Sequence, residues 1–88
     1  MKIVEGFTLR SVAGEMIVSA ESIAQINFNK LIALNESAAY LWSEVVGSDF
    51  TVERLAELLV AKYEIESEVA LVDATAVVKS WAEVGLVE

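Results

Sequence analysis

The stretch FNKLIALNESAAYLW, residues 28–42, changes its period partway along. Leu31 to Leu34 is a run of four apolar residues, the length of a short strand. Asn35 follows as a good helix N-cap, and Glu36 puts negative charge in the first helical turn, where the macrodipole favours it. A strand is therefore handed directly to a helix. In a chain of 88 residues such a strand lies at a sheet edge or needs a neighbour. A free edge carries unpaired backbone groups able to receive another peptide.

Upstream, FTLRSVAGEMIVSA at residues 7–20 reads as two strands around Ala13-Gly14, with Gly14 supplying the positive φ of a tight turn. ESIAQINFNK, residues 21–30, alternates more weakly. Ile26 and Phe28 fall on one face, and Asn29-Lys30 predicts a second small turn into Leu31. Proline is absent, so turns rest on the four glycines and on Asn, Asp and Ser.

Downstream the periodicity is helical. Ala38, Leu41, Trp42 and Val45 make one stripe, and Gly47 offers a left-handed stop. A second helix starts at the Thr51 N-cap, with Phe50 and Leu55 placed as a hydrophobic staple. It carries Val52, Leu55, Leu59 and Tyr63 and ends near Tyr63 or Glu64. The third starts at Ser67 and runs through Trp81 to a Gly85 stop. Ala70, Ala74, Val77, Val78 and Trp81 form its core stripe, while Val69, Val72 and Ala76 begin a second one, continued by Lys79, Ser80 and Glu83. One stripe suits the core; the other either packs under the sheet or lines a groove. Both tryptophans sit in helical stripes and read as core aromatics.

Composition narrows the function. Without Cys or His the chain has no disulfide, no thiolate metal site and neither the commonest zinc ligand nor the commonest general base. No Gly-rich phosphate loop or informative carboxylate pair appears, so the chain reads as non-catalytic and without a cofactor. The net charge of −8 opposes binding to phosphate backbones. No apolar run approaches the roughly 18 residues of a transmembrane helix. MKIVEGFTLRSV lacks a signal peptide's apolar region, so a cytoplasmic protein with no membrane partner is expected.

Several pieces, in order, resemble one family. Leu9, Arg10, Val12, Gly14 and Glu15 give LR-x-V-x-GE; Phe28 to Glu36 give FN-x-LI-x-LNE. Leu41-Trp42, FTVERLAELL, Tyr63 with Ile65, Asp73, and Gly85-Leu86 follow. This set is similar to the PqqD-like family of peptide chaperones, also called RiPP recognition elements. Lys30 stands where that family often has a turn glycine, and Val77 where it often has a larger residue.

The resemblance implies an α+β, winged helix-turn-helix-like fold: a small N-terminal antiparallel sheet, then three helices, in one domain over residues 1–88. It also implies binding of the leader segment of a ribosomally made precursor peptide by strand addition, and presentation of it to a modifying enzyme such as a radical SAM protein. The peptide-binding residues would be Lys30, Leu31, Ile32, Ala33 and Leu34 on the third strand, with Val69, Val72, Asp73, Ala76, Lys79 and Ser80 on the third helix. Two rivals use the same features. A self-associating structural domain would explain the open edge by homodimer pairing. A DNA-binding winged helix needs a basic third helix, whereas residues 67–84 hold one Lys against three acids.

Overall fold

The computed structural model describes residues 1–20 and 31–87; the alternation in residues 21–30 and the turn expected at Asn29-Lys30 lie outside them. Strands β1 (Phe7–Val12), β2 (Glu15–Ala20) and β3 (Leu31–Leu34) precede helices α1 (Glu36–Val45), α2 (Val52–Tyr63) and α3 (Ser67–Glu83). This is the α+β order the sequence predicts. The chain divides into two compact units, Glu5–Glu44 and Met1–Val4 with Val45–Glu88.

In the first unit the strands form an antiparallel sheet in the order β1-β2-β3. Ala13 and Gly14 have φ of 52° and 85°, and two successive positive φ values make the type I′ turn that suits a twisted two-residue hairpin. A Cβ on Gly14 would meet nothing within 4 Å, so glycine answers a backbone demand there and not a packing one. The register places Met16 opposite Leu34 and Val18 opposite Ile32, so these four share one face of the sheet. Val18 on that face is fully buried, whereas Arg10, Val12, Glu15 and Ala33 on the other are exposed. The Asn35 carboxamide then accepts from the Ala38 N–H at 2.8 Å, the cap anticipated from sequence. Ala38, Leu41 and Trp42 of the expected α1 stripe are buried, and Ala39 with them.

In the second unit Thr51 caps α2, its hydroxyl accepting from the Arg54 N–H at 3.0 Å. Leu55, Leu58 and Leu59 are buried on α2, and each contributes about 1.5–3 kcal/mol by leaving water. Ala70 and Ala74 on α3, one turn apart, have no exposed surface, and such small side chains let a packed helix approach closely. Val77 and Val78, expected in the same core stripe, are only half-buried. Phe50, expected to staple α2, is buried edge-on to Trp81, with ring centroids 6.4 Å apart.

The end of α3 is a Schellman motif. Gly85 has φ of 81°, its N–H donates to the Ala82 carbonyl at 3.1 Å, and the Leu86 N–H donates to the Trp81 carbonyl at 2.8 Å. Leu86 and Trp81 are both buried, the apolar pair that accompanies this cap. The segment after it is tied to the start of the chain: Ile3 bridges Val87, and the Val4 N–H donates to the Leu86 carbonyl at 2.9 Å. Periodicity gave no sign of this closure, because a single bridge leaves no repeat to read.

Candidate functional site

The strand half of the candidate site follows from the hairpin register. In a two-residue hairpin the residues flanking the loop, Val12 and Glu15, exchange both backbone hydrogen bonds, and bonded pairs then alternate with non-bonded ones along the ladder. Glu15, Ile17 and Ser19 thus turn their N–H and C=O toward β1, while Met16 and Val18 turn theirs toward β3. Across that second ladder Met16 pairs with Leu34 and Val18 with Ile32. Ile32 and Leu34 are therefore bonded inward, and Leu31 and Ala33 direct their N–H and C=O outward.

β3 is an edge strand: among the described residues nothing pairs with its outer side. The edge carries none of the devices that usually blunt one, such as Lys, proline or a bulge, and Ala33 is exposed beside its outward N–H. Lys30, the fifth strand residue expected in the site, lies outside the described residues.

The helix half lies in the other unit. Val69, Val72, Asp73, Ala76, Lys79 and Ser80 are all exposed on α3. At the helical angular step they fall within an arc of about 120°, opposite the face that buries Ala70, Ala74 and Trp81. Val72 is 68% and Val69 49% exposed, unusual for β-branched apolar side chains. Each half of the predicted set is thus brought together within its own unit.

Two features of these units were not legible in the sequence. Leu71, 44% exposed, adds apolar surface on the other flank of α3, outside the row selected by periodicity. In the sheet unit an open hollow of about 470 Å³ is lined by Gly14 and Met16, by Leu34, and by Glu36, Ala39, Tyr40 and Ser43. It exists because the register sets Met16 beside Leu34, and one strand's pattern does not specify its partner's register.

Chemically, the β3 edge offers two backbone donors and two acceptors, and the α3 row offers apolar area with a carboxylate, an ammonium and a hydroxyl at its margins. Backbone groups of this kind can pair with an extended chain, and neither set of residues contains a nucleophile–base pair. Among the described residues no group of three His, Cys, Asp or Glu could hold a metal ion, and no helix is long and apolar enough to cross a membrane.

Among known proteins, the family model for coenzyme PQQ synthesis protein D (PqqD) matches residues 7–87, nearly the whole chain. No curated protein and no solved structure matches it significantly.

Proposed function

The chain belongs to the family of coenzyme PQQ synthesis protein D (PqqD), and from that premise we propose that it binds the leader segment of a ribosomally made precursor peptide as an added strand on β3 and presents it to a modifying enzyme. The family is one of non-catalytic, peptide-binding partner domains in PQQ-type biosynthesis. The observation that carries the finer reading is the uncharged β3 edge, with the backbone groups of Leu31 and Ala33 turned outward. Strand addition draws affinity from such groups and selectivity from alternate side chains.

The exposed row Val69, Val72 and Ala76, with Asp73, Lys79 and Ser80 beside it, is proposed as a second contact surface for the same peptide. An apolar row of this kind suits the apolar side chains of a leader, and Asp73 suits a basic one. The modifying enzyme is proposed to be a radical SAM protein, which would carry the iron–sulfur chemistry that a chain without Cys cannot. A DNA-binding role is disfavoured by the charge of −8 and by the acidic α3.

The test is titration of ¹⁵N-labelled protein with synthetic peptides encoded by small reading frames beside its gene. Micromolar binding with the largest amide shifts over residues 31–34 and 69–80 supports the reading. Shifts confined to β1 and the 13–14 turn contradict it.

A further inference from the structure

The same register that opens β3 makes it complementary to itself. We propose that a second copy of this chain pairs with β3, antiparallel about a two-fold axis at Ile32, and that this self-pairing holds the edge when no leader is present. The competition with leader rests on the peptide reading above; the self-pairing does not.

Leu31 and Ala33, the two outward-facing residues, stand symmetrically on either side of Ile32. When Ile32 lies opposite Ile32 of the copy, Leu31 of each chain meets Ala33 of the other. Both are then bonded pairs, so two pairs exchange two bonds each and every outward N–H and C=O of both β3 strands is satisfied. Slipping the copy by two residues pairs Leu31 with Asn35 in one direction, whose carbonyl already accepts from the Ala39 N–H at 2.9 Å, and Ala33 with residue 29 in the other, so each slip needs a partner from beyond β3. Slipping it by one would set outward groups against inward ones. One register therefore closes the ladder from within β3 alone. It also sets two β-branched side chains directly opposite each other, a favourable cross-strand pair, and brings no charge into opposition because β3 carries none.

Charge outside the strand sets the strength. Two chains of net charge −8 repel, so the pairing is weak at low salt and strengthens as salt screens the repulsion. A basic leader behaves oppositely, since salt screens its attraction. Peptide capture and self-pairing are thus mutually exclusive uses of one edge with opposite salt dependence.

The experiment combines sedimentation equilibrium with amide hydrogen exchange, on the full chain, from about 10 μM to about 1 mM, the range in which short interfaces associate. The probe is a synthetic capped hexapeptide of residues 30–35, KLIALN. The expected result is monomer at the low end and dimer at the high end, more dimer at 0.5 M than at 0.05 M salt, with Leu31 and Ala33 amides slowed several-fold as the dimer forms. Ile32 and Leu34 amides, already bonded to β2, do not change, and the hexapeptide dissociates the dimer. Ala33→Glu lies on the exposed face and keeps the backbone groups, so it is expected to weaken the dimer several-fold by setting like charges diagonally across the axis. A monomer throughout, with unchanged exchange at Leu31 and Ala33, overturns the proposal. If the hexapeptide still protects those two amides in that monomer, the self-pairing is wrong and the edge reading stands. A dimer whose protection lies outside β3 overturns the proposal equally.

Discussion

Asn35 is a single residue with two duties, ending β3 and starting α1. Its carboxamide holds the Ala38 N–H, so Asn35→Ala leaves that donor without its cap and is expected to cost about 0.5–2 kcal/mol in urea unfolding. Glu64 works in the opposite direction. It closes α2 in the left-handed region at φ 54°, where a Cβ is strained, and its N–H still reaches the Val60 carbonyl at 3.0 Å. Glu64→Gly is expected to raise stability by up to about 1 kcal/mol in the same measurement, a sign opposite to that of most glycine substitutions in helices. At this scale the caps were legible because each depends on a residue type at one position. The strained Glu64 was not, because nothing in its side chain announces a positive φ.

At the scale of elements, β3 contains two kinds of residue that look alike in sequence. Ile32 and Ala33 are neighbours in an apolar run, yet one is bonded inward and the other outward. Ile32→Pro deletes the bond to Val18 and is expected to lower the melting temperature by about 10 °C or more. Ala33→Pro deletes only an outward donor, where an edge strand tolerates proline, and is expected to keep the melting temperature within a few degrees while abolishing peptide binding. Thermal melts followed by peptide titration read both outcomes. The run LIAL showed that a strand was present, but which of its residues face out depends on the Ala13-Gly14 loop and the β2 register. α3 was more transparent, because 3.6-residue periodicity separates Ala70, Ala74 and Trp81 from Val69, Val72 and Ala76 without knowledge of any partner. Ala76→Glu is expected to leave the fold intact, since the position is exposed, and to weaken leader binding by placing a charge in an apolar contact.

For the whole molecule, charge and composition are the governing terms. A chain of net charge −8 steers basic partners, so association with a basic leader should slow several-fold as the Debye length falls from about 10 Å at 0.1 M salt to about 3 Å at 1 M. Stopped-flow rates that stay flat or rise would remove the electrostatic part of the account. Chelators should leave the melting curve unchanged, since the chain has no Cys or His to hold a structural metal. The tie between Ile3 and Val87, made by one bridge and the Leu86 carbonyl, was beyond the reach of pattern reading, although Gly85 signalled the helix stop that positions it. The central claim, that β3 takes a leader through the backbone of Leu31 and Ala33, is tested most directly by amide hydrogen exchange at about 10 μM protein with and without saturating leader peptide. The account predicts slowing on the order of tenfold or more at Leu31 and Ala33, with Ile32 and Leu34 unaltered; a bound peptide that leaves the Leu31 and Ala33 amides exchanging at their free rates would contradict it.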